Sequence, residues 1–264
     1  MKIFITIICL LYGAVCCVNA QQKPKHEDTE FYSPVPKVVI PGKNSSAPPS
    51  DAIILFDGKN LDQWVSTDDT TKPANWFVNK KVITVNKKAG NIQTRQSFMD
   101  YQLHLEWRIP KNITGEGQLR GNSGLFLASI GKGDAGYELQ ILDSYNNTTY
   151  VNGQAGSIYK QYIPLVNANK PPGEWQTYDV IWTAPRFNSD GSLKSPAHVT
   201  AIFNGVLVEN NVELKGPTVY VGQPGYAGAA YGAAPIKLQA HGDKSEPISF
   251  KNIWIRPLTP TAIF

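Results

Sequence analysis

Cysteine is nearly absent: the chain of 264 residues holds three, Cys9, Cys16 and Cys17. All three fall in an amino-terminal apolar stretch. The remainder therefore has no disulfide, no thiol nucleophile and no cysteine metal site. Histidine is scarce as well, at four residues, and none sits in an HExxH helix. A Ser-His-Asp order, a phosphate-cradling glycine loop and a CxxC pair are also missing. Charge of one sign is not concentrated. The formal net charge is +4, with no dense basic cluster, so neither nucleic acid nor an anionic membrane is indicated as a partner. Good helix signals are few, and no apolar run beyond the amino terminus approaches the length of a membrane span.

What is present begins with Lys2, an apolar run over residues 3–18 and the small-residue exit Val18-Asn19-Ala20. This reads as a secretory signal peptide over 1–20, cleaved after Ala20. The protein is then exported, periplasmic or extracellular. Lipidation at Cys16 or Cys17 is disfavoured because Val15 and Cys16 stand where a small residue is needed. Residues 21–50 carry Pro24, Pro34, Pro36, Pro41, Pro48 and Pro49 among lysines and serines. That composition suits an extended linker or an arm lying on a domain. Residues 51–264 are long enough for one large β domain with its own core.

In that region short β-branched or aromatic runs recur between Gly, Pro, Asn and Asp. Strands are expected at 52–56, 76–78, 81–85, 101–109, 124–129, 137–142, 176–183, 198–203, 206–208, 236–239 and 248–255. Asn204-Gly205 is a hairpin turn signal between two of them. The pattern describes an all-β domain of two packed antiparallel sheets. Trp107, Trp182 and Trp254 read as core, and Trp175 as a packing anchor in a turn.

The segment GYELQILD (136–143) alternates with the two-residue period of a strand. Tyr137, Leu139 and Ile141 share an apolar face. Glu138 and Gln140 share the other, and Asp143 follows where the chain turns. A carboxylate beside an amide is costly to bury unpaired. The polar face is thus either a solvated surface or the floor of a ligand-binding groove. In LHLEWRIP (103–110), His104, Glu106 and Arg108 project to one side. RGNSGLFL (120–127) runs from a glycine-rich turn into an apolar strand. If these three strands are neighbours, Glu106, Arg108, Asn122, Glu138 and Gln140 converge. After Asp143 comes a polar and aromatic loop with Tyr145, Tyr150, Tyr159 and Lys160, the kind of segment that carries function on a β scaffold. His241 lies just past a strand, before Gly242.

These stretches also occur in a characteristic order. LFDGKNLDQW (55–64), LHLEWRIP, RGNSGLFL, YELQILDSYNN (137–147), GSIYKQ (156–161), PPGEWQTYDV (171–180), residues 235–242 and FKNIWIRPL (250–258) together resemble the 3-keto-disaccharide hydrolase family of secreted bacterial proteins. The resemblance covers residues 51–258. It implies a concanavalin A-like jelly-roll sandwich and a carbohydrate substrate, an oxidised glycoside. It also implies an elimination route: a base removes the C2 hydrogen made acidic by a C3 carbonyl, the aglycone leaves C1, and water adds back. On this reading Glu138 or His241 is the base. Arg108, Asn122 or Lys160 stabilises the enolate oxygen, and Glu106 or Asp143 is the acid. Arg120, Gln140 and Tyr159 join the substrate-binding set. The family more often carries Asp where this chain has Ala240, which removes one carboxylate that would orient His241.

Two carboxylates, Glu106 and Glu138, suit acid–base work on a sugar. The laminarinase-type ExDxxE strand is absent, since position 140 is Gln, which disfavours ordinary glycoside hydrolysis on this fold. A second class stays open: the same sandwich serves as a noncatalytic carbohydrate-binding module. No cofactor is required by the sequence, although a divalent cation is compatible with so many oxygen ligands. Nothing in the pattern sets an oligomeric state.

Overall fold

The computed structural model describes residues 23–228 and 231–258. The signal peptide assigned to 1–20 and the Cys16 and Cys17 thiols lie outside the described residues. The chain divides into two units, residues 1–38 and 39–264. In the first, His26–Thr29 forms one 3₁₀ turn and no described residue is buried. No helix among the described residues is long and apolar enough to cross a membrane.

The second unit is a jelly-roll sandwich of antiparallel strands. In chain order these are β1 (Ile53–Phe56), β2 (Trp64–Ser66), β3 (Phe77–Asn79), β4 (Val82–Thr84), β5 (Ile92–Thr94), β6 (Tyr101–Arg108), β7 (Ser123–Ser129) and β8 (Gly136–Ile141). After a long connection come β9 (Trp175–Thr183), β10 (Arg186–Phe187), β11 (Leu193–Ser195), β12 (His198–Phe203), β13 (Val206–Glu213), β14 (Lys237–Leu238) and β15 (Ser249–Pro257). The larger, eight-stranded sheet runs β13-β12-β9-β6-β15-β4-β3, with β1 also pairing β15. The smaller, five-stranded sheet runs β2-β5-β14-β7-β8. Asn204 and Gly205 take positive φ, 53° and 81°, in the β12–β13 hairpin, as their side chains favour.

One apolar core joins the sheets. Leu103, Leu105 and Trp107 from β6 and Tyr178, Val180 and Trp182 from β9 meet Leu125 and Leu127 from β7 and Leu139 and Ile141 from β8. Trp107 stacks on Phe203 at 5.6 Å between ring centroids. Each such side chain contributes roughly 1.5–3 kcal/mol by leaving water. Two buried phenols then link the layers: Tyr101 Oη donates to Leu127 O at 2.6 Å and Tyr178 Oη to Gln140 O at 2.7 Å.

The three-strand surface expected from the sequence does not form. β6 lies in the larger sheet between β9 and β15, whereas β7 and β8 are neighbours in the smaller one. Residues 39–50 belong to the same unit as the domain. Ser46 O accepts from Asn252 Nδ2 at 2.8 Å and Trp254 Nε1 at 3.0 Å, and Asp51 pairs with Arg256 at 2.8 Å.

Candidate active site

β8 is the edge strand of the smaller sheet, yet all its residues are buried. Its apolar face packs on the core. Its polar face is covered because the chain after β8 returns along the edge. Gln140 N–H donates to Ser157 O at 3.0 Å, Gly156 N–H to Gln140 O at 3.1 Å and Tyr159 N–H to Glu138 O at 3.1 Å. A second segment continues along the same edge, where Glu138 N–H donates to Thr218 Oγ1 at 3.0 Å and Thr218 N–H to Gly136 O at 2.8 Å. What remains open is a pocket of about 150 Å³ lined by Asn122, Asp134, Glu138, Gln140, Tyr159, Thr218, Tyr220, Gln239 and His241.

Glu138 is 5% exposed. Among the described residues its carboxyl accepts no hydrogen bond. Gly124 makes room for it across the β7–β8 ladder: a Cβ there would stand 2.5 Å from Glu138 Oε1. Burial, seconded by the nearby Asp134 charge and opposed by Lys237, pushes the Glu138 carboxyl up to about 8. Beside it, the buried amide oxygens of Gln140 and Gln239 have no partner among the described residues, so both can accept from a ligand hydroxyl. Asn122 donates to Gln118 O at 2.8 Å. The turn before it needs Gly121, whose φ is 62° and whose missing Cβ would meet Ile109 Cδ1 at 2.9 Å.

His241 has the carboxylate partner that Ala240 cannot supply. Asp243, two residues on, takes its Oδ2 to 2.7 Å from His241 Nδ1. Burial of Asp243 works against its charge, but hydrogen bonds from His241, Ser245 and Lys87 outweigh it and hold the carboxyl at about 2. A carboxylate at this distance needs a proton on Nδ1, which leaves Nε2 of the neutral ring as the nitrogen that exchanges protons. At the pocket mouth Tyr150 and Tyr159 share a 2.6 Å hydroxyl contact. Lys160 Nζ donates to Tyr220 O at 2.7 Å and stands 3.9 Å from the Tyr220 ring centroid.

The structure thus gathers Asn122, Glu138, Gln140, Tyr159 and His241 at one pocket, with Lys160 behind its aromatic rim. Four other expected residues lie apart. Glu106 belongs to the larger sheet, where Asn252 Nδ2 (2.8 Å) and Lys251 Nζ (3.1 Å) contact it. Burial raises its carboxyl, but His104, Asn252 and Lys251 prevail and hold it at about 2, so it carries no proton to donate near neutral pH. Arg108 stacks on Trp175 at 4.5 Å. Arg120 and Asp143 form a 2.8 Å ion pair that clasps the start of β7 to the end of β8, with Asp143 fully buried. Asp134, Thr218, Tyr220 and Gln239 were not foreseen. Only Gln239 had a signal, since it alternates with Lys237 and precedes His241 by two residues. Among the described residues no three His, Cys, Asp or Glu side chains gather as a metal-binding group.

Comparison with known proteins agrees with this architecture. A crystal structure of a candidate glycosyl hydrolase from Parabacteroides distasonis is 54% identical, covers 89% of this chain and 97% of its own, and superposes with a TM-score of 0.81. Two further candidate glycosyl hydrolases of that organism share the fold. One is 21% identical over 78% of this chain and 99% of its own, with a TM-score of 0.55. The other is 20% identical over 79% and 94%, with a TM-score of 0.53. No curated protein matches the chain. Residues 51–256 match the model of the 3-keto-alpha-glucoside-1,2-lyase-like domain, and the chain belongs to that family.

Proposed function

We propose that this protein cleaves the glycosidic bond of 3-keto-glycosides by elimination followed by hydration, with Glu138 as the base. The observation that carries the reading is the buried, donor-free Glu138 carboxyl on the pocket floor, pushed up to about 8. The C3 carbonyl makes the C2 hydrogen acidic, and a carboxylate of this basicity is matched to removing it near neutral pH. The C2–H electron pair moves into the enolate. Collapse of the enolate expels the C1 oxygen, which takes the Nε2 proton of the His241 imidazolium, leaving the neutral ring with its Nδ1–H donated to Asp243. Neutral His241 then takes a proton from the water that adds at C1, and Glu138, its proton exchanged with solvent once the aglycone has left, protonates C2, so that net hydrolysis results. The amides of Asn122, Gln140 and Gln239 supply donors and acceptors for the enolate oxygen and ring hydroxyls.

A pocket built only for binding has no use for an unpaired buried carboxyl, which costs stability. The discriminating assay compares a 3-keto-disaccharide with its unoxidised parent. Turnover of the keto sugar alone supports the reading; binding of both without turnover overturns it. We also infer that the enzyme works outside the cytoplasm after cleavage at Ala20. Mass spectrometry of the secreted chain should find Gln21 as its first residue, and an intact or lipidated terminus would contradict this.

A further inference from the structure

We infer that Lys237 is a positioning residue of this site: its buried ammonium clamps the loop between β7 and β8 so that Asp134 faces Glu138. Lys237 is fully buried and does not line the pocket. Its register partner on β7 is Phe126, whose partner on β8 is Glu138. The three side chains therefore form one row across the sheet, with the phenyl ring between the two ionisable groups. Lys237 Nζ lies 5.0 Å from that ring centroid.

All three ammonium protons are spent on one loop. Nζ donates to Gly131 O at 3.0 Å, Gly133 O at 2.8 Å and Ala135 O at 2.8 Å. A lysine so engaged has nothing left for substrate. Its work is to gather three carbonyls, of which Ala135 O also accepts from Ile130 N–H at 3.2 Å while Gly131 O would lose its donor with an apolar side chain in place of the lysine. Asn91 completes the clamp, with Nδ2 at 3.0 Å from both Gly133 O and Asp134 Oδ1.

The consequence is electrostatic. Asp134 and Lys237 bias Glu138 in opposite directions. Tyr150, Tyr159 and Tyr220 face it from the pocket rim and His241 from beyond β14, while Asp68 acts on Lys237. Removing the acid should make Glu138 a weaker base, whereas removing the lysine both takes away a cation that lowers its carboxyl and frees the acid that raises it.

The inference rests on Glu138 as the base, so the test has one readout that needs no turnover. Glu138 is titrated by carboxyl ¹³C NMR, assigned against Glu138→Gln, and by the pH profile of kcat/KM on a 3-keto-disaccharide. Asp134→Asn should move both midpoints down by about half a unit or more. Lys237→Met removes a cation, which raises the midpoint, and frees Asp134, which lowers it, so the variant should raise the midpoint more in the Asp134→Asn background than in the wild type. A lysine that acts by its charge alone would give the same rise in both. Should Lys237→Met fail to fold, Asn91→Ala replaces it; by freeing Asp134 it should move the midpoint down. A midpoint that stays put in Asp134→Asn, or a Lys237→Met shift that is equal with and without Asp134, overturns the inference. Moving NMR midpoints without turnover overturn the proposed function and leave the clamp standing.

Discussion

Glu138 faces the pocket from the centre of β8, and its raised pKa makes it both useful and destabilising. Glu138→Gln keeps the shape and removes the base, so turnover of a 3-keto-glycoside should fall roughly a hundredfold or more. The wild-type kcat/KM should climb with pH through about 8, where the carboxyl ionises, and the residual activity of the variant should lack that limb. Stability follows the same group with the opposite benefit. A carboxyl raised from 4.5 to about 8 binds its proton more tightly when folded. Its contribution is therefore full below the unfolded value and is lost as pH rises through the folded one. Glu138→Gln should raise Tm relative to wild type at pH 9 by the equivalent of roughly 1–3 kcal/mol, and much less at pH 5. Equal gains at both pH values would mean that the carboxyl is not desolvated. Asp243 acts through its neighbour. Asp243→Asn removes the charge that holds His241 in one tautomer, so kcat should fall roughly tenfold or more with little change in KM. A change confined to KM would make the pair a binding device.

β8 is the element that converts the fold into a site. Its back is fixed by the Tyr178 phenol, its edge by the returning chain, and its front is given depth by Gly124. Tyr178→Phe should cost about 1 kcal/mol in denaturant unfolding. Gly124→Ala should leave a folded protein and push the Glu138 carboxyl aside, lowering activity at least about tenfold; unchanged activity would show that Gly124 is not needed for clearance. This strand was legible in the sequence because its alternation is local. So were the long strands around Trp107, Trp182 and Trp254 and the Asn204-Gly205 turn. The short strands β2, β5, β10 and β11 carry too few residues to show a period. Misplacing Glu106 and Arg108 has a different cause. Alternation tells which side chains share a face of one strand, but strand order depends on pairings between distant segments, such as β6 with β9 and β15. Asp134, Thr218 and Tyr220 come from loops, where no periodicity exists, and Asp243 stands two residues from His241 in a bend that no strand period marks.

Across the whole molecule, both sheets supply the core while the outer face of the smaller one carries the pocket. The boundary of the folded unit is best drawn ahead of the proline pair at 48–49. A chain starting at residue 39 should keep the Tm of one starting at residue 21. One starting at residue 52 loses the Ser46 acceptor and the Asp51–Arg256 pair and should melt several degrees lower; equal Tm values would assign residues 39–51 to a free linker. The most direct measurement of all follows the C2 hydrogen. The enzyme is given a 3-keto-disaccharide in D₂O, and the released keto sugar is sampled by mass spectrometry and NMR before it exchanges unaided. Elimination and hydration through Glu138 predict one solvent deuterium at C2 and no cleavage of the unoxidised parent. Cleavage with the original hydrogen retained at C2 would contradict it.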